Sequence, residues 1–338
     1  MSMISTTPGV ACTFENDLPT ESDGVLAAIE HGALSDVPTL RRGNPALRIS
    51  MLETTSPGRV EVWRSNRSVE TGRHADLVYS LDGRYLFCAG RITHDENYAA
   101  ATEKLYLQAH DLIGQLGYPE VARMWNVVGG ITDPVPGRPG TDRYSMFCQA
   151  RARAFDRCGL VAENMPAATG IGGMDAHTTV YLLAARAAEI TRIENPRQVP
   201  AYEYPDRYGT QSPSFARAAY VRSNDDFRSL FVSGTASIIG HETVHPGNVA
   251  LQTRTTLENI AELVSAANLR RHGIDADITL SDLDSVKVYV KYPGDVDAVR
   301  QVCASVFGPE AEVLYAIADV CREDLLVEVE GFVSVPGQ

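Results

Sequence analysis

Positive charge is scarce in this chain. Thirty Lys and Arg face 43 Asp and Glu, leaving a formal net charge of −13 over 338 residues. Nucleic acid and anionic membranes both demand a basic footprint, so neither is an expected partner. An anionic substrate would have to be gathered by a local cluster of Arg against the field of the whole protein. Paired cysteines are missing too. Cys12, Cys88, Cys148, Cys158, Cys303 and Cys321 include no C-x-x-C pair, and no Cys/His spacing suits zinc. His241 and His245 are four apart in "GHETVHPGN", but Gly240 and Pro246 bracket them. That stretch reads as a loop entering a helix, and no metal or cofactor is expected. No apolar run approaches the roughly 18 residues of a membrane span. The start "MSMISTTPGVACTFEND" lacks the basic and apolar regions of a leader. The expectation is a cytoplasmic protein with reduced thiols.

What is present is ordinary globular material, 44% hydrophobic and 22% charged. The C-terminal part parses cleanly. Strands are expected over 213–221 and 228–237, a long helix over 246–274 with Asn248 as N-cap and Gly273 as stop, and a strand over 284–292. A helix over 295–308 and strands over 311–320 and 324–333 complete the order β-β-α-β-α-β-β. The N-terminal half repeats it. Segments 59–66 and 83–92 stand for the first strands, and "YLFCAG" is close to "SLFVSG". Helices over 101–118 and 144–159 and strands over 120–128 and 178–186 follow. The glycine-rich "TGIGG" (169–173) lacks a nucleotide-loop context and reads as a close backbone approach to a substrate. The fold class is therefore α+β: two diverged halves, 1–200 and 201–338, each a mixed sheet with helices packed on one face.

One strand is unusual. In "LLVEVEGF" (325–332), period two puts Leu325, Val327 and Val329 on one face and Leu326, Glu328 and Glu330 on the other. The matching N-terminal strand, with Val180, Tyr181 and Leu182, has no carboxylate, so the fold itself does not require these two. They could lie on a solvated face or pair with Lys287 or Lys291. On a buried strand, however, a carboxyl group favours its neutral form and can donate a proton near neutral pH. Glu328, nearer the strand centre, is the candidate acid. Glu330, beside the exit at Gly331, is the candidate structural partner.

Several stretches carry a family resemblance. "FVSGTAS", "TLENIAELVSAANL", "VKVYVK" and "VEVEG" resemble the YjgF/RidA fold, which is chorismate-mutase-like, over 213–333. "MWNVVGGI", "MPAATGIG", "IENP", "YGTQSPSFARA", "GHETVH" and "REDLLVEVEG" extend the likeness to the whole chain, which resembles the chorismatases. These enzymes release pyruvate from the enol ether of chorismate. The resemblance implies that Glu328 protonates the enolpyruvyl methylene group, that Arg151 and Arg217 hold substrate carboxylates, and that Tyr144 and Tyr208 offer hydroxyls. It also implies two types. The hydrolytic type carries alanines at two pocket positions; the type forming 3-hydroxybenzoate carries Gly and Cys, here Gly234 and Cys321. By residue type alone, Cys321 could equally be a small buried hydrophobe. Three other readings stay open: a hydrolytic chorismatase, an imine deaminase (disfavoured because Val313 stands where that family has a carboxylate-clamping Arg), and a binding module without catalysis. A homotrimer and a monomer are both compatible with the duplication.

Overall fold

The computed structural model describes residues 9–20, 24–54, 58–186, 188–209, 211–223 and 227–335. Three main sheets surround one core. The middle sheet has the strand order Ala167–Gly173, Glu120–Gly129, His177–Ala185, Tyr85–Thr93, Leu77–Leu81, Glu70–His74. The C-terminal sheet runs Ala188–Ile193, Ala218–Ser223, Arg228–Ala236, Val327–Val335, Ser285–Val290, Glu312–Ile317, with the short strand Leu52–Glu53 at its edge. Read from its Glu312–Ile317 end, the second order matches the first strand for strand, with the one parallel pair at the same place: Glu120–Gly129 beside Ala167–Gly173, and Ser285–Val290 beside Glu312–Ile317. The duplication is therefore present in three dimensions, and the α+β class holds.

Alternation along the strands explains the layers. Leu86 and Cys88 face helices α1 (Tyr98–Leu116) and α2 (Arg143–Arg157), whereas Phe87 and Ala89 face the centre. Likewise Val327 and Val329 face α3 (Val249–Val264), α4 (Ala266–Arg271) and α5 (Val296–Cys303). Both helical layers are thus external. The inner faces meet a third sheet, ordered Val10–Glu15, Val60–Ser65, Val25–Gly32, Asn44–Ser50, Thr39–Arg41. Val10, Ile29, Trp63, Trp125, Phe231 and Phe332 share the central core, with Trp63 within 5.4 Å of the Trp125 and Phe332 rings.

Three expectations need correction. Segment 59–66 is a strand, but it belongs to the third sheet; Leu77–Leu81 holds the first-strand position of the middle sheet. The division at 200 does not follow the sheets, because Ala188–Ile193 already belongs to the C-terminal one and the third sheet stands apart from both halves. The single helix over 246–274 is two. Asn248 caps α3 as expected, but Ser265 leaves helical geometry (φ −58°, ψ 145°) and its side chain accepts from Asn268 N, starting α4. "TGIGG" lies within the strand Ala167–Gly173.

Candidate active site

Strand Val327–Val335 pairs with Arg228–Ala236 through a bulge. The register passes from Val232↔Gly331 to Thr235↔Val329, so the first strand carries one extra residue around Ser233 and Gly234. The bulge withdraws Gly234 N from the ladder, and it donates instead to Thr169 Oγ1 at 2.9 Å. It also brings the glycine against the carboxyl group of Glu328. A Cβ at position 234 would stand 2.0 Å from Glu328 Oε1 and 3.1 Å from Thr169 Oγ1. A glycine here leaves the carboxyl group room in the position it holds.

Glu328 borders a cavity of about 410 Å³. Its walls come from both repeated halves. Tyr144, Ala168 and Gly170 line one side; Arg217, Gly234, Cys321 and Arg322 line the other, and Tyr204, Arg207 and Tyr208 cover it. Six of the seven expected site residues thus converge: Glu328, Cys321, Gly234, Arg217, Tyr144 and Tyr208. Arg151 does not line the cavity. It is 2% exposed, lies about two turns beyond Tyr144 in α2, and packs its guanidinium 5.2 Å from the Phe147 ring and 5.7 Å from the Phe155 ring. It is a buried charge behind Tyr144 and Cys148, with its Nε unpartnered.

The two glutamates separate as their positions suggest. Glu328 is 4% exposed, and burial, reinforced by the charge of Glu330 and opposed by Arg123 and Arg217, pushes its pKa up to about 8. Burial acts on Glu330 as well, but Lys287 Nζ and Arg123 Nη2, each 2.8 Å away, outweigh it and hold Glu330 at about 2. Trp125 Nε1 at 2.7 Å and Thr169 Oγ1 at 2.5 Å donate to it too. Lys291, the other cation considered, pairs with Asp319 at 2.9 Å. One carboxyl group is therefore kept neutral beside a cavity while its neighbour two residues on is fixed as an anion, which is how an acid and a charge come to share one strand.

Cations line the same cavity. Arg217 is 3% exposed; its Nη2 donates to Val199 O (2.9 Å) and Tyr204 Oη (2.8 Å), and its Nε faces Glu194 Oε2 at 4.0 Å. Arg322 stacks 3.8 Å from the centre of the Tyr208 ring and donates to His241 O at 3.0 Å. Arg207 reaches Tyr208 Oη at 3.0 Å and pairs with Glu242 at the exposed rim. The Cys321 thiol is pushed up to about 12, by burial and then by Glu328, so it stands in the cavity as a neutral group. The arrangement can receive a carboxylate on Arg217 and Arg322 and offer it a carboxylic acid.

Arg322, Tyr204, Thr169 and Arg123 were not anticipated. Arg123 had a signal: it is a lone charge inside the apolar strand "EVARMWNVV", two residues before Trp125 and therefore on the same face. Arg322 and Tyr204 had none, because they sit on connections whose course periodicity does not predict.

The chain is similar to known proteins along nearly its whole length. Residues 61–184 match the family described as Chorismatase FkbO/Hyg5-like, N-terminal. A 3-hydroxybenzoate synthase of Streptomyces hygroscopicus is 43% identical over 332 residues, covering 96% of this chain and 97% of its own. A chorismatase of Streptomyces rapamycinicus is 41% identical over 328 residues, covering 96% and 97%. The crystal structure of a chorismatase superposes with a TM-score of 0.91 at 40% identity, covering 96% of this chain and 98% of that one. Identity of this order, held across both repeated halves and the third sheet, makes this chain a member of the chorismatase family.

Proposed function

We propose that this chain converts chorismate to 3-hydroxybenzoate and pyruvate. The observation that carries the reading is the neutral Glu328 carboxyl group, buried at the wall of a cavity that also presents Arg217 and Arg322. An enol ether becomes a leaving group only when its methylene carbon gains a proton, and a positioned neutral acid is the group that can supply one. Arg217, which lines the cavity, supplies a charge-assisted donor for a substrate carboxylate, and Arg322 a second.

In the proposed sequence, Glu328 gives its proton to the methylene carbon. The C3–oxygen bond of the ring then breaks as the substrate's own C4 hydroxyl oxygen attacks C3. Pyruvate departs with the former ether oxygen, and the C4 hydroxyl proton returns to the Glu328 carboxylate. The arene oxide so formed opens at its C4–oxygen bond and loses the C3 hydrogen, leaving the oxygen as a phenol at C3. Atoms balance without added water. Gly234 gives the acid its place, and the neutral Cys321 offers a compact wall beside the ring.

The test is purified protein with chorismate labelled with heavy oxygen at the C4 hydroxyl. Chromatography and mass spectrometry are expected to show 3-hydroxybenzoate retaining the label, with one pyruvate released per ring. A dihydroxycyclohexadiene carboxylate as the main product would replace this reading by the hydrolytic one. Absence of pyruvate would remove both. Glu328→Gln should lower pyruvate release by roughly 10²–10⁴-fold, the usual contribution of a general acid.

A further inference from the structure

The anion beside the acid belongs to a longer array. Glu61, Lys287, Glu330 and Arg123 form a chain of alternating charge, with side-chain exposures of 0%, 6%, 4% and 2%. Lys287 Nζ lies 3.0 Å from Glu61 and 2.8 Å from Glu330, and Arg123 Nη2 lies 2.8 Å from Glu330. Trp63 Nε1 donates to Glu61 at 2.7 Å. The members come from all three sheets: Glu61 from the third, Arg123 from the middle one, Lys287 and Glu330 from the C-terminal one. None lines the cavity. For stability alone such an array is a poor choice, since well-packed apolar groups often replace buried ion pairs at no loss. Its two carboxylates and two cations cancel. Thr169 ties it to the acid: its hydroxyl donates to Glu330, accepts from Arg123 Nη2, and accepts from Gly234 N, the residue against which the Glu328 carboxyl group rests.

We propose that Glu61, Lys287, Glu330 and Arg123 act together as positioning residues for Glu328: their cancelled charge leaves no spare cation to draw the acid into its ionised form, and their bonds through Thr169 fix the Gly234 bulge that supports it. The inference rests on the proposed acid role of Glu328 and names residues remote from the substrate. The titratable and charged groups facing Glu328 are Glu330 on its own strand, Tyr289 directly opposite it on the strand Ser285–Val290, Arg123 from the middle sheet, Tyr144 from α2, Arg217 from the segment leading into Ala218–Ser223, and Cys321 from the connection before its strand. Of these, only Glu330 and Arg123 belong to the array. Burial with the charge of Glu330 raises Glu328, and Arg123 lowers it, in the directions the proposal needs.

The experiment compares the pH dependence of pyruvate release in wild type, Glu61→Gln, Glu330→Gln and Arg123→Gln. Activity needs the protonated acid, so it falls on the alkaline side as Glu328 ionises. Removing either carboxylate leaves the array with one net positive charge and should move that alkaline limb to lower pH. Glu330→Gln should move it by about one pH unit or more and the more distant Glu61→Gln by less. Arg123→Gln leaves one net negative charge and should move the limb upward. General loosening of the core cannot produce opposite signs. Limbs that stay at the wild-type position, or that all move the same way, overturn the proposal. A second readout is independent of turnover: the carbon NMR titration of the Glu328 carboxyl group, identified by its loss in Glu328→Gln. If wild type releases no pyruvate, the catalytic reading fails, while an unchanged Glu328 titration in Glu61→Gln and Glu330→Gln separately refutes the array. Should Arg123→Gln fail to fold, the two Gln variants, close in shape to Glu, still decide the matter.

Discussion

Gly234→Ala isolates the placement of the acid from the stability of the fold. The added Cβ would stand 2.0 Å from Glu328 Oε1 and 3.0 Å from its Cδ. Ordinary contact needs the carboxyl group to retreat by about 1 Å or more. The obstacle is the far end of a side chain, not backbone, and Gly234 is not among the positive-φ glycines. The chain can therefore absorb the methyl group by turning Glu328, and the unfolding midpoint should change by no more than about 4 °C, the size of a 1 kcal/mol effect in a protein this large. Catalysis has no such freedom. A misplacement of about 1 Å in a reacting group costs on the order of 10²-fold, equivalent to about 2.7 kcal/mol of barrier. The expected result is a kcat for pyruvate release about a hundredfold lower in a protein that melts normally, measured by a coupled pyruvate assay beside a thermal melt. Because the hydrolytic type is expected to carry alanine here, chromatography of the residual product should show a larger share of the dihydroxycyclohexadiene carboxylate. Wild-type kcat with an unchanged ring product would refute the claim that Gly234 makes room for the acid.

Two further outcomes follow from the site. Arg217→Met removes a guanidinium that lines the cavity and should raise KM for chorismate by roughly 10–100-fold, the worth of a charge-assisted hydrogen bond, with a smaller effect on kcat; an unchanged KM in steady-state kinetics would place the substrate carboxylate elsewhere. The two glutamates also set opposite pH responses of stability. Glu330, held at about 2, contributes stability that is complete above its unfolded value of 4.5 and is lost as pH falls toward 2, whereas Glu328, raised to about 8, contributes stability complete below 4.5 and lost as pH rises through 8. Denaturant titrations should therefore show Glu328→Gln gaining on wild type between about pH 5 and about pH 9, and Glu330→Gln losing less than wild type on acidification; parallel curves would contradict both assignments.

The sequence showed most where a pattern broke its own rule. Two carboxylates on one face of an apolar strand, absent from the duplicated strand, were enough to single out Glu328 and Glu330 and to tell them apart, and the structure finds one raised and the other lowered. The order of strands and helices along the C-terminal half was legible from alternation and turn residues, but Leu77–Leu81 and Ala167–Gly173 of the other half were missed, and which sheet a strand joins was not legible. "RVEVWRSN" and "LVYSL" alternate alike, and the choice between them is made by long-range pairing that local pattern does not encode. The break at Ser265 was hidden because the apolar stripe runs on through "LVSAANL", and a Ser that caps the next helix resembles a Ser inside one. Arg151 looked as suitable as Arg217; what separates them is that one projects among the aromatic rings behind α2 and the other opens onto the cavity.

The cavity's walls are divided between the two repeats, with the acid and the glycine on one and Tyr144 and Gly170 on the other. Neither repeat can therefore diverge on its own. A side chain added at Gly170 would meet Tyr144 at 3.0 Å, and Tyr144 lines the same cavity as Glu328, so a change of size on one repeat alters the space beside the acid on the other. Variants that alter which ring product forms should accordingly come as matched pairs across the seam more often than as single replacements on either side.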